Sequence, residues 1–227
     1  MCHHPKWIVW VKCNEALKKL GSIDVYVALR FYAEGCHYMF TSLFLKILNK
    51  EASSAKSKPV EIIASLNIRE GEIIADIGSG GGYFALAFAG KAGKTGRVYA
   101  VDVKPKYLDF IQRKAAQEGY DNVISVLGAG GEMKLPEAGL DLVFARNVFH
   151  HLPEPGDYFR NLKKYLKPDG KVAIIDHKPK RGFGFVALFK HHTPGEAVVQ
   201  EMEKAGYRFV KSFNFLPDQT FNLFGMK

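Results

Sequence analysis

From Pro59 onwards, short apolar runs alternate with longer amphipathic ones, and this rhythm leaves few folds open. "EIIADI" (72–77), "RVYAVDV" (97–103), "NVISVL" (122–127), the start of "LDLVFARNVF" (140–149) and "KVAIID" (171–176) read as strands. Their nearly continuous apolar character suits strands covered by helices on both faces. "VEIIASLNI" (60–68), "GYFALAFAGKAG" (82–93), "PKYLDFIQRKAAQEG" (105–119) and "PGDYFRNLKKYLKPDG" (155–170) read as the helices between them. Pro105 and Gly119 sit at the start and end of the third of these, the order that helix termini prefer. The alternation predicts an α/β fold with a doubly wound, mostly parallel sheet. The end of the chain departs from it. A helix over "TPGEAVVQEMEKAGY" (193–207) is followed by strands over "RFVKSFNF" (208–215) and "TFNLFGM" (220–226), joined by "LPDQ". So short a connection makes a hairpin, which puts one strand antiparallel to the rest.

Before Pro59 the pattern differs. Residues 49–59, "NKEASSAKSKP", are polar and read as a linker. Upstream, Tyr26, Phe31, Tyr32, Tyr38, Phe40, Phe44 and Leu48 recur at roughly helical spacing. The expected division is a helical lid segment and linker over 1–58 and the main domain over 59–227. The apolar stretch Val25 to Leu48 is interrupted by Arg30, Glu34, His37 and Lys46, so no membrane span is expected, and no signal-peptide pattern is visible. Cys2, Cys13 and Cys36 show no CxxC spacing, which fits a reducing, cytoplasmic setting without disulfides. Cys2, His3 and His4 read as an incidental tail rather than a metal cluster, and no metal site is expected.

"IADIGSGGGYFALAF" (74–88) carries the chemistry. A strand ends in Asp76 and breaks into Gly78, Gly80, Gly81 and Gly82 before a helix. Ligands of open parallel sheets bind at such carboxyl ends. Gly78 and Gly80 fit a dinucleotide G-x-G-x-x-G, but its third position is Tyr83, and no G-K-[ST] closes a phosphate loop. Asp102, at the end of the second strand, can accept hydrogen bonds from both hydroxyls of a ribose.

"ADIGSGGGYF", "VYAVDV", "LDLVFARNVFHHLPEP" and "LKKYLKPDGKVAIID" together resemble the class I S-adenosylmethionine-dependent methyltransferases, in particular the small-molecule branch with a UbiE-like core. The likeness runs over about residues 60 to 226. It implies a methyltransferase enzyme with S-adenosylmethionine as cofactor. By that resemblance Asp76, Gly78, Ser79, Gly80 and Gly82 hold the methionine portion and Asp102 the ribose, with Val103 also expected to bind the cofactor. A zwitterionic amino acid without phosphate also removes the need for a third glycine, since loop N–H groups can meet its carboxylate and Asp76 its ammonium. Many relatives carry an Asp after the third strand that contacts adenine. This chain has Ala129 there, in "VLGAGGEMKLP" (126–136), which leaves Glu132 or a backbone carbonyl for that contact.

The acceptor is expected at the ends of strands four and five. His150 and His151 can act as base or orient an acceptor, or one of them can cap the turn before Pro153. Arg146 and Asn147 lie at the ligand edge, with Asn147 able to contact the cofactor or to stabilise a turn. Asp176 and His177 end the fifth strand but point to opposite faces, so their side chains are not expected to touch. Beyond them Lys178, Lys180, Arg181 and Lys190 interleave with Phe183, Phe185 and Phe189. That segment reads as a membrane-interface or hydrophobic-substrate loop, as a nucleic-acid surface, or as a cover with its Phe residues packed inward. The net charge of +9 distributes as +4 over 1–71, −2 over 72–159 and +7 over 160–227. The expected partner is a small apolar or aromatic methyl acceptor, with peripheral membrane contact as an addition. An RNA or protein acceptor and a non-catalytic S-adenosylmethionine-binding protein are the alternatives. Oligomeric state is not legible.

Overall fold

The computed structural model of this chain describes residues 40–128, 133–179 and 193–227. The chain divides into two compact units, 1–44 and 45–227. In the first, residues 40–44 are helical. The second opens with helix α1 (residues 45–52) and a short 3-10 turn, Ala55–Ser57. Helices and strands then alternate: α2 (Pro59–Leu66), β1 (Ile73–Ile77), α3 (Tyr83–Ala92), β2 (Arg97–Asp102), α4 (Pro105–Gln117), β3 (Val123–Leu127), β4 (Leu140–Arg146), α5 (Pro155–Leu162), β5 (Leu166–His177), α6 (Gly195–Lys204), β6 (Tyr207–Phe213) and β7 (Gln219–Met226).

The strand order is β3-β2-β1-β4-β5-β7-β6. β1 to β5 are mutually parallel, and β7 runs antiparallel between β5 and β6. The expected antiparallel strand is therefore β7. The order reverses between β1 and β4, the switch point beside which open α/β sheets bind ligands.

Alternate residues along each strand feed two cores. On one face Ile74, Val98, Leu142, Phe144, Ala173 and Leu223 pack under α2, α3 and α4. On the other, Ala75, Val101, Val143, Ile174 and Phe224 pack with Phe159 and Leu162 of α5 and Val198 and Met202 of α6. Phe144 is the hub of the first face. It is fully buried, with its ring 5.0 Å from those of both Phe84 and Phe88. Polar ties fix the layers. Asn122 Nδ2 donates to the carbonyls of Ala89 and Gly93 at 3.0 and 2.8 Å, closing the end of α3. Asp141 accepts from Ile73 N–H at 2.8 Å and pairs with Lys167 at 2.7 Å.

Two sequence readings are corrected. Residues 49–52 are helical, not linker, because Asn49 is a packing residue: its Nδ2 donates to the carbonyl of Gly81 at 2.7 Å. The helix read over 155–170 ends at Leu162, a 3-10 turn follows over Lys163–Tyr165, and strand β5 begins at Leu166. Leu166 pairs with Leu140 while Lys171 pairs with Leu142, so residues 167–170 bulge out of β5. Gly170 is needed there for close approach, since a Cβ would lie 2.9 Å from the carbonyl oxygen of Leu140.

Phe144→Ala is expected to destabilise the protein by about 3–5 kcal/mol, the usual loss for emptying a buried aromatic site. Urea unfolding should show a lower midpoint with an unchanged slope.

Candidate functional site

The site is built on the loop between β1 and α3. Its conformation requires glycine at three places: φ is +68° at Gly78, +55° at Gly80 and +81° at Gly82. At Gly78, Gly81 and Gly82 the neighbours also leave no room for a side chain. A Cβ on Gly78 would stand 2.3 Å from Val148 Cγ2, one on Gly81 2.2 Å from Asn49 Oδ1, and one on Gly82 2.8 Å from Ile111. The amides of Gly78 and Ser79 both donate to the carbonyl of Val101, at 2.8 and 3.0 Å. Ser79 Oγ donates to the carbonyl of Asp76 at 2.7 Å.

Two carboxylates flank this loop. Asp76 on β1 is 3% exposed and Asp102 at the end of β2 is 8% exposed. Asp102 Oδ2 accepts from Gly80 N–H at 3.1 Å and Oδ1 from Lys104 N–H at 3.0 Å. Neither carboxylate is ion-paired with a described cation. Burial pushes the Asp76 carboxyl up to about 7, with the Ser79 hydrogen bond opposing and the charge of Asp102 adding to the rise. Burial raises Asp102 as well, against the hydrogen bonds from Lys104 and Gly80. Val103, expected to bind the cofactor, is exposed at this rim.

One strand along, Arg146 and Asn147 end β4. Arg146 Nη2 donates to Ser57 Oγ and to Gln219 Oε1, both at 3.2 Å, and its guanidinium lies 5.3 Å from the centre of the Phe84 ring. Its Nε is buried without a partner. Burial lowers the Arg146 pKa, and the charges of Glu51 and Asp76 resist that. Asn147 has φ +56°, and its Oδ1 accepts from Gln219 Nε2 at 2.5 Å. Gln219 and Ser57, far away in sequence, were not singled out there. No local pattern marks them.

The next contact joins β5 to the turn after β4. His150 Nδ1 lies 2.6 Å from Asp176 Oδ1, with the two side chains 4% and 0% exposed. Asp176 Oδ2 also accepts His150 N–H at 3.0 Å, and Oδ1 accepts His177 N–H at 2.8 Å. The His177 side chain is thus not the partner of Asp176, as its place on the strand predicts. His150 is. Burial lowers the His177 pKa, with the charge of Asp176 opposing. His151 is exposed, its ring centre 4.1 Å from that of His150. The structure therefore gathers Asp76, Gly78, Ser79, Gly80, Gly82 and Asp102 around one loop, ties Arg146 to Asn147 through Gln219, and pairs His150 with Asp176. Ala129, Glu132 and residues 180–192 lie outside the described residues, as do Cys2, Cys13, Cys36 and residues 26–38.

Among the described residues, no cluster of three or more His, Cys, Asp or Glu side chains could hold a metal ion, and no helix is long and apolar enough to cross a membrane.

A sheet of this order with a carboxylate at the ends of its first two strands defines a Rossmann-like methyltransferase fold. Comparisons agree. The Methyltransferase domain profile matches residues 75–174. A protein-L-isoaspartate O-methyltransferase of Methanocella arvoryzae is 30% identical over 159 residues, covering 63% of this chain and 83% of that protein. The ubiquinone/menaquinone biosynthesis C-methyltransferase UbiE of Cupriavidus metallidurans is 29% identical over 164 residues, covering 69% of this chain and 66% of the relative. The crystal structure of an S-adenosylmethionine-dependent methyltransferase from Aquifex aeolicus superposes with a TM-score of 0.74 at 24% identity, covering 82% of this chain and 98% of that one. Of other relatives the chain spans less: 27% of an arsenite methyltransferase of Halobacterium salinarum and 48% of a protein-L-isoaspartate O-methyltransferase of Archaeoglobus fulgidus. The chain belongs to the class I S-adenosylmethionine-dependent methyltransferases, and its cofactor is S-adenosylmethionine.

The residues present fit that cofactor. Two buried carboxylates without ion pairs call for a cationic, hydroxyl-bearing ligand, and the orphaned Arg146 Nε is a donor suited to a carboxylate.

Asp102→Ala should weaken S-adenosylmethionine binding by about 10- to 100-fold in calorimetry, the worth of one or two hydrogen bonds to a charged group; unchanged affinity would remove its ribose role. With its carboxyl raised to about 7, Asp76 is expected to make that affinity pH-dependent. A cationic ligand needs its charged form, so affinity should rise with pH, by at most about tenfold per unit, and level off above about pH 7. The same shift acts on stability with the opposite sense. Between about pH 4 and 7 the unfolded chain has released this proton and the folded chain keeps it, so the free protein loses stability as pH rises through that window. Asp76→Asn should flatten that slope in thermal melts while abolishing cofactor binding.

Proposed function

We propose that this chain methylates a small, apolar or aromatic acceptor through an ionisable hydroxyl, with His150 as the base and Asp176 as the residue that positions it. The 2.6 Å contact between His150 Nδ1 and the buried Asp176 carries this reading. A carboxylate that accepts the Nδ1 proton fixes the tautomer in which Nε2 is basic, and it steadies the imidazolium that forms when a proton is taken up. Asp176 also receives the backbone N–H groups of His150 and His177, so the carboxylate is anchored by its own strand and by the turn. When bound, S-adenosylmethionine supplies a methyl group activated by the positive charge on sulfur. The tasks left to the protein are alignment and removal of the acceptor's proton. In the cofactor half, Asp76 and Arg146 are read as meeting the two charges of the methionine portion, Gly78, Ser79, Gly80, Gly82 and Asn147 as lining it, and Asp102 with Val103 as taking the ribose.

A protein acceptor is the second reading. It is favoured by the relatives named protein-L-isoaspartate O-methyltransferases and by the charge of +7 over residues 160–227.

With labelled S-adenosylmethionine and a panel of phenols and catechols, His150→Ala should lower kcat by about 10²- to 10⁴-fold, the usual contribution of a general base. Cofactor affinity should stay the same within threefold (about 0.6 kcal/mol). Asp176→Asn should shift the acidic limb of the kcat/KM profile, which a purely structural role would not do. Turnover that survives His150→Ala with an unaltered pH profile overturns the role of the pair. Methylation of an isoaspartyl peptide but of no phenol favours the second reading.

A further inference from the structure

Beyond the cofactor loop, a cavity of about 490 Å³ opens between the start of α6 and the hairpin of β6 and β7. That volume suits a molecule of one or two rings. Gly195 lets α6 close on the hairpin, since a Cβ there would lie 2.9 Å from Thr220 Cγ2. Val199, Phe213 and Phe221 give the cavity its apolar part.

One lining group has no internal partner. Asn222 is 3% exposed, and its Oδ1 accepts from Ser212 Oγ at 2.6 Å, but its buried Nδ2 donates to no described residue. A buried amide N–H left unpaired is costly and rare, so one on a residue that lines a cavity is the group a ligand's hydrogen-bond acceptor would satisfy. Among the described lining residues there is one cation, Lys178, and one anion, Glu196. Lys178 Nζ already donates to the carbonyls of Leu216 and Pro217, at 3.1 and 3.3 Å. The described lining calls for no net charge on the ligand.

Two lining residues also touch the acceptor edge. Gln219 bridges Arg146 and Asn147. Thr220 Oγ1 donates to the carbonyl of Asp176 at 3.3 Å. We infer that this cavity binds the body of the methyl acceptor as a neutral ring compound whose carbonyl oxygen accepts from Asn222 Nδ2. The inference rests on the acceptor reading above and names the substrate class: neutral aromatic ketones or carboxamides that also bear the reacting hydroxyl.

The test titrates the full, isotope-labelled chain with 4-hydroxyacetophenone, 4-hydroxybenzamide and, lacking the carbonyl, 4-ethylphenol. Proton–nitrogen correlation spectra would follow the side-chain amide of Asn222. The carbonyl probes should shift that resonance and bind at least about tenfold more tightly than 4-ethylphenol, as sites built around a hydrogen bond discriminate. Asn222→Leu should erase the preference, and Val199→Phe, which fills the cavity, should weaken all three probes. Both variants should keep S-adenosylmethionine affinity within twofold (about 0.4 kcal/mol), which shows that they are folded. Equal affinities, no shift at Asn222, or shifts confined to the glycine loop overturn the inference and leave a water-filled cavity only. The two readings fail separately. If phenols are methylated but Asn222 is silent, only this inference falls. If S-adenosylmethionine does not bind, the acceptor reading falls while the Asn222 shifts remain readable.

Discussion

The glycine loop holds this structure together by what it lacks. Gly78 admits Val148 from the turn after β4, Gly81 admits Asn49 and Leu45 of α1, and Gly82 admits Ile111 of α4. Three elements separated in sequence therefore meet on one stretch of bare backbone. Side chains at these points would drive them apart before any ligand was considered. The same bareness brings Gly80 N–H onto Asp102, so the carboxylate at the second strand and the loop at the first are set by one hydrogen bond. Packing alone already demands glycine at positions 78, 81 and 82.

The charges around that loop pull the other way. Asp76 and Asp102 are buried without an ion pair to any described cation, and the charge of Asp102 raises the pKa of Asp76. Arg146, a strand away, is held by Ser57 and Gln219 and keeps one N–H unpaired. Such groups weaken the free protein, and a ligand of opposite charges would satisfy them. The aromatic cluster of Phe84, Phe88 and Phe144 lies directly behind, on the face that carries α3. A dense apolar layer behind an unsatisfied polar edge lets the fold carry this cost.

How much of this could be read in advance follows from the range of each interaction. The strands were legible because both-faced burial writes itself into consecutive apolar residues. Asp76 and Asp102 were legible because a strand end is a local feature. Residues 49–52 were not: Asn49 looks like loop chemistry until its partner, Gly81, is known. Residues 166–170 were not either, since the bulge in β5 depends on the pairing of Leu166 with Leu140. His150 and Asp176 each stood out alone, but their contact needs β4 and β5 to lie side by side. Gln219 was invisible, because its two partners are 72 and 73 positions away.

Gln219 owes its place to topology. β1 to β5 arrive at the ligand edge with their last residues, whereas β7, running antiparallel, departs from it with its first. His177 at the end of β5 thus faces Gln219, and Asp176 faces Thr220. The single reversed strand extends the edge past the point where parallel strands stop supplying residues. It does so with a continuous chain of contacts, from Arg146 and Asn147 through Gln219, and from Asp176 through Thr220. Had β7 been parallel, Gly225 and Met226 would occupy this edge instead, with no amide to bridge Arg146 and Asn147. The hairpin is therefore part of how the fold joins the glycine loop and the end of β4 to the edge beyond β5.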